Sequence, residues 1–151
     1  MFGVHYYGAK LNMKINITLI LILCMLVFTG CKQPADTMVL LDEKIEIINI
    51  SNSHGFGEMN EDIIYSFRDI ESISILKDVI TTATKQKSDV DVEQPDFDMM
   101  IGYGDEFPIH AIHLWLGKEG ETSTFRYMVD DEVSTYVTTP NSTNKLRSIL
   151  N

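Results

Sequence analysis

An uncharged apolar run from Ile15 to Phe28, closed by Thr29-Gly30-Cys31, divides this chain before any fold is considered. Lys14 supplies a positive n-region, the run supplies an apolar h-region of about 7–15 residues, and Thr29-Gly30 supplies the small residues of a cleavage site. A bilayer-crossing helix needs roughly 18 or more apolar residues, so this run reads as an export signal instead. The stretch Leu26-Val27-Phe28-Thr29-Gly30-Cys31 reads as the end of a bacterial lipoprotein signal peptide, expected over residues 1–30. Cys31 is then expected to carry a diacylglyceryl group and become the new amino terminus. Cys24 lies inside the apolar run with nothing small before it and is a poor competitor. Met13-Lys14-Ile15 begins a complete signal, so translation is expected to start at Met13. Each buried methylene contributes about 0.8 kcal/mol, so two acyl chains hold a protein stably where one does not. The expected location is the extracytoplasmic face of the cell membrane, on a lipid anchor that is fatty-acylated (palmitate-like).

Residues 31–42, with Pro34 and Asp36, read as a tether from the lipid, and 43–151 is long enough for one domain with a modest core. Both cysteines fall within the signal and the anchor, which leaves no disulfide and no thiolate metal site for the domain. The chain carries a formal charge of −10, and losing Lys10 and Lys14 with the signal makes the domain more negative still. Such a surface is repelled by nucleic acid and by anionic polymers, so the expected partners exclude nucleic acid. A protein, peptide or glycan ligand remains, beside the membrane held through the anchor.

The spacing of apolar residues predicts an α+β fold. Lys44 to Ser51 alternates, Ile45, Ile47 and Asn49 against Glu46, Ile48 and Ile50, as in a strand. Asn52-Ser53-His54-Gly55-Phe56-Gly57 is a turn cluster before a second strand over 62–67. Asp69 caps a helix over 70–84 whose Ile70, Ile73, Leu76, Val79, Ile80 and Ala83 share one face. Glu71 near its start and Lys85 and Lys87 near its end suit the helix dipole. After the acidic loop 88–95, four strands follow over 97–103, 109–116, 122–129 and 133–138. Thr139-Pro140 predicts an N-cap and first turn for a closing helix. The order ββαββββα suits an antiparallel sheet of five to six strands with two helices on one face.

Several groups of polar residues invite a chemical role. His110 and His113 would share a face on a helix, but on a strand an odd separation sends them to opposite faces, which disfavours a shared metal ion. Asp89, Asp91, Glu93, Asp96 and Asp98 are a dense carboxylate group. Counted from Asp89, however, the glycine position of a calcium loop holds Gln94 and the terminal glutamate position holds Met100. His54-Gly55-Phe56-Gly57 with Glu58, Glu61 and Asp62 could furnish an acid and a base, without a recognisable nucleophile or a phosphate-loop glycine spacing. No cofactor or metal is therefore expected, and no catalytic residue is assigned. Trp115 and His113 share one strand face opposite Ile112, Leu114 and Leu116, and Tyr127 and Tyr136 could join them if the register permits. These four residues are the candidate ligand-binding platform.

Asn60-Glu61-Asp62-Ile63-Ile64, Ile80-Thr81-Thr82-Ala83, Gln94-Pro95-Asp96-Phe97-Asp98 and His113-Leu114-Trp115-Leu116-Gly117 occur in this order, followed by the closing segment 136–146. With these phrases the chain resembles the YhfM-like domain of small lipoproteins from Bacillus-type Gram-positive bacteria. The phrases are structural in kind, so the resemblance carries over no functional residue. It implies attachment to the outer face of the cytoplasmic membrane beneath a thick wall.

The leading expectation is a non-enzymatic, lipid-anchored binding or accessory module. A wall- or peptide-directed hydrolase using His54 or the acidic loop is the first alternative. An inhibitor or immunity-type lipoprotein that captures a basic partner is the second.

Overall fold

The computed structural model describes residues 36–86, 93–129 and 134–150. Among these residues seven strands, β1 (Ile47–Asn52), β2 (Ile63–Phe67), β3 (Thr84–Lys85), β4 (Phe97–Gly102), β5 (His110–Trp115), β6 (Thr124–Tyr127) and β7 (Tyr136–Val137), form one sheet in the order β2-β1-β4-β5-β6-β7-β3. Every neighbouring pair is antiparallel. Two helices among the described residues, α1 (Ile70–Thr81) and α2 (Pro140–Ile149), complete an α+β fold.

The strands form where β-branched and aromatic residues alternate with polar ones, and the alternation sorts the faces. Ile48 and Ile50 of β1, Met99 and Ile101 of β4, Ile112 and Leu114 of β5, Phe125 of β6 and Tyr136 of β7 are buried with Leu76, Val79 and Ile80 of α1 and Leu146 and Leu150 of the α2 end. Both helices therefore cover the same side of the sheet. Asp69 caps α1 as expected, its side chain accepting a 2.8 Å bond from Ser72 N. That bond to a backbone N–H holds the Asp69 carboxyl below its ordinary range. Thr139 caps α2, accepting from Ser142 N at 3.1 Å, with Pro140 in the first turn.

Three expectations about α1 are corrected. The helix stops at Thr81, where the hydroxyls of Thr81 and Thr82 donate back to Lys77 O and Asp78 O. Ala83 is fully buried, and Thr84–Lys85 then turns into β3, the strand that raises the count to seven. Lys85 is thus a strand residue and not a dipole partner, and no basic residue stands in the last turn of α1. Ile70 is 87% exposed, so the buried stripe starts a turn later than the spacing suggested.

The described part of the expected tether, 36–42, lies on the domain. Met38 is buried, its N–H donates to Ala83 O at 3.2 Å, and Lys85 N donates to Asp36 O at 2.7 Å. An isolated bridge joins Thr37 to Thr84. Tyr127 grips both backbone polar groups of Val39: its hydroxyl accepts from Val39 N at 2.7 Å and donates to Val39 O at 2.6 Å. Residues 1–30 and Cys31 lie outside the described residues.

Candidate functional site

The face away from the helices carries a polar row that crosses four strands. Ser51 pairs with Asp98, Asp98 with His113, and His113 with Arg126. The row on one side of it is mainly apolar, Asn49 beside Met100 beside Ala111. On the other side Trp115 pairs with Thr124.

The turn cluster between β1 and β2 folds over this row and is bonded to it. Ser51 Oγ donates to Asn60 O at 2.6 Å, and Asn60 N donates to Asp98 Oδ2 at 3.1 Å. His113 Nδ1 donates to Asp98 Oδ1 at 2.9 Å. Asp98 is fully buried and His113 nearly so, and each Asp98 oxygen accepts an N–H. A buried carboxyl left unpaired is costly, so this arrangement locks the loop to the sheet. His54 ends beside the same knot, its Nε2 3.3 Å from Asn60 Nδ2, while that amide also donates to Asn52 O at 2.8 Å.

Above the knot lie the aromatic groups. Phe56 meets His113 edge-on at 5.7 Å and tilts against Trp115 at 6.0 Å, and the His113 and Trp115 rings are 6.0 Å apart. The Arg126 guanidinium sits 5.6 Å from the Phe56 centroid, within cation–π range. Trp115 Nε1 donates to Glu93 O at 2.6 Å, which fixes the indole. Phe56 is 57% exposed and is flanked by Gly55 and Gly57 with φ of 111° and 141°, values that side chains other than hydrogen rarely adopt.

Two of the four expected platform residues are misplaced by the sequence reading. Tyr127 pairs with Ile112 and Tyr136 with Phe125, so both belong to the helix-covered face. They meet each other edge to face at 5.8 Å, and Tyr127 lies 6.1 Å from His110. The alternation Thr124-Phe125-Arg126-Tyr127 holds the missed signal: Tyr127 shares the parity of core Phe125, and Arg126 takes the outer place. Trp115 and His113 are on the outer face as expected. Phe56, read as a turn residue, joins them through the fold of its loop.

His110 and His113 point to opposite faces. His110 Nδ1 lies 2.8 Å from the Tyr103 hydroxyl, which donates to it and itself accepts from Leu41 N at 3.4 Å. Burial lowers the His110 pKa and raises that of Tyr103. Of the acidic group, Asp89 and Asp91 lie outside the described residues. Asp96 Oδ2 accepts from Leu116 N at 2.8 Å, Glu93 offers its backbone carbonyl to Trp115, and Asp98 belongs to the knot.

The row has the composition of a hydrolytic triad but the wrong order. A serine nucleophile needs the imidazole between itself and the carboxylate. Here Asp98 stands between Ser51 and His113, and Ser51 Oγ is bonded to Asn60 O. The arrangement fits a structural clasp under an exposed Phe56 and a half-buried Trp115 and Arg126.

A family model described as YhfM protein matches residues 42–151. No curated protein matches the chain. Among solved structures, a thioesterase-like protein from Clostridium sporogenes ATCC 15579 is similar, with a TM-score of 0.53 and 16% identity, over 70% of this chain and 93% of that one. At that identity the likeness is one of fold.

Proposed function

The chain belongs to the YhfM family, and we propose that it is a non-enzymatic binding module, lipid-anchored through Cys31 at the extracytoplasmic face of the cell membrane. Its ligand surface is the outer face of the sheet, with Phe56, Trp115 and Arg126 as contacts and His113 as their support. One observation carries this reading: an exposed phenylalanine, an indole and a guanidinium gather on the face that neither helix covers. Flat rings beside a planar cation favour the faces of sugar rings or the side chains of a peptide, in a chain whose charge repels polyanions. The reading needs no cofactor.

Peptidoglycan sacculi offer both ligand classes, and muramidase or amidase digestion separates them. Full-length protein in detergent micelles should sediment with sacculi, and Phe56→Ala or Arg126→Ala should weaken that retention by about tenfold. Equal retention of both variants would falsify the assignment of the surface. For the anchor, Cys31→Ala should abolish lipid labelling and release the protein from the membrane fraction; continued labelling rejects it.

A second reading is favoured by the buried His113–Asp98 pair, which could serve a hydrolase as oriented base; the solved neighbour is described as thioesterase-like. It requires Phe56 to leave the His113 ring. Acyl-thioester cleavage lost in His113→Gln would select this reading over the binding module.

A further inference from the structure

The two ends of the sheet are treated differently. The β3 end is short and covered: Thr37 bridges Thr84, Lys85 donates to Asp36 O, and Met38 donates to Ala83 O. The β2 end is bare. Among the described residues β2 pairs only with β1, and its sequence Ile63-Ile64-Tyr65-Ser66-Phe67 contains none of the charges or prolines that usually guard an edge strand.

The ladder fixes which backbone groups are exposed there. Ser53 N donates to Asp96 O, so in the continuous β1–β4 register the odd residues of β1 direct their peptide groups to β4. Ile48 and Ile50 then direct theirs to Phe67 and Tyr65. The peptide groups of Ser66 alternate with these and face the open rim. Ile63 and Ile64 are 39% and 45% exposed, with an irregularity in register beside them that bends the start of the strand. Exposed Glu58, Glu61 and Asp62 precede the strand, so its amino end is strongly acidic.

We propose that the free edge of β2 is a docking site for an extended peptide segment of a partner protein, added as an eighth, antiparallel strand. Main-chain bonds to Ser66 supply register, Ile63 and Ile64 receive apolar side chains at alternate positions, and the acidic end selects Lys or Arg toward the carboxyl end of the segment. The rim of β2 is at the other end of the sheet from Trp115 and Arg126 on β5 and β6, while Phe56 of the platform is carried by the same β1–β2 loop as the acidic residues. A second copy of this chain fits less well, because two domains of the same high negative charge repel.

Selection of phage-displayed peptides of about ten residues against the full chain in detergent micelles tests the proposal. Enriched sequences are expected to alternate apolar residues and end in Lys or Arg. Ser66→Pro removes the rim N–H and leaves the β1 ladder paired, so it should lower the affinity of an enriched peptide by about tenfold or more. The triple variant Glu58→Lys/Glu61→Lys/Asp62→Lys should do the same with the backbone untouched. Glu119→Lys, a single charge reversal on the β5–β6 connection, should leave affinity as it was, whereas Glu61→Lys alone should lower it. Absence of enriched peptides, or enriched peptides that bind the Pro and triple-Lys variants as tightly as wild type, overturns the proposal. Failure of the selection together with dimerisation abolished by Ser66→Pro also overturns it and assigns the edge to a second copy.

Discussion

Asp98 uses both carboxylate oxygens within the fold, and it shows why the site was only half legible in the sequence. Its neighbours Asp89, Asp91, Glu93 and Asp96 make it look like one more solvated acid, and nothing local reveals that His113 stands opposite. Trp115 and His113 were legible because strand parity places them together. Phe56 and Arg126 depended on a loop path and on a cross-strand register that parity along one strand leaves open. His110 carries a consequence for pH. An unfolded histidine titrates near its ordinary value of 6.5, whereas burial holds folded His110 lower. Above that value both states are neutral and the full stability is present. As pH falls through it the unfolded chain takes up a proton that the folded chain refuses, so stability declines on acidification. The denaturation midpoint should drop between pH 7.5 and 5 more in wild type than in His110→Gln, and parallel pH profiles for the two would contradict this. Gly117 makes a steric prediction. A Cβ there would run into the backbone carbonyl of Thr122, so Gly117→Ala should cost roughly 1–3 kcal/mol in a denaturant titration.

Among the elements, both helices and every strand but β3 were readable. β1, β4, β5 and both helix caps follow from periodicity and capping chemistry. β3 has two residues, too few to show a period, and exists because β7 and the 36–38 segment supply its partners. The link between α2 and the sheet is a buried hydroxyl cluster: Thr143 Oγ1 lies 2.9 Å from both Ser123 Oγ and Thr138 Oγ1, and Ser123 N donates to Thr138 Oγ1 at 2.8 Å. Thr143→Val keeps the shape and leaves two buried hydroxyls short of a partner, for an expected loss of about 1–3 kcal/mol. Thr139→Ala removes only the exposed cap and should cost about 1 kcal/mol. Thermal unfolding of the two variants side by side ranks them, and a Thr139 effect larger than that of Thr143 would contradict the role given to the cluster.

For the whole molecule, fold class and helix placement were legible because one core serves every element, whereas the boundary of the domain was not. The polar composition of 32–37 resembles a linker, yet Met38 and Leu40 are core residues. Met38→Ala should therefore destabilise the domain by about 2–5 kcal/mol, as a buried methionine does and a linker residue does not. An unchanged unfolding midpoint would return residues 36–41 to the linker. That strap also determines how a mechanical load from the amino end would enter the protein. Tension would first reach the Asp36–Lys85 and Met38–Ala83 bonds and the clamp of Tyr127 on Val39. The first two contacts lie at the covered β3 rim and the third on β6, and all of them would have to give before the pull reached β1, the next element along the chain.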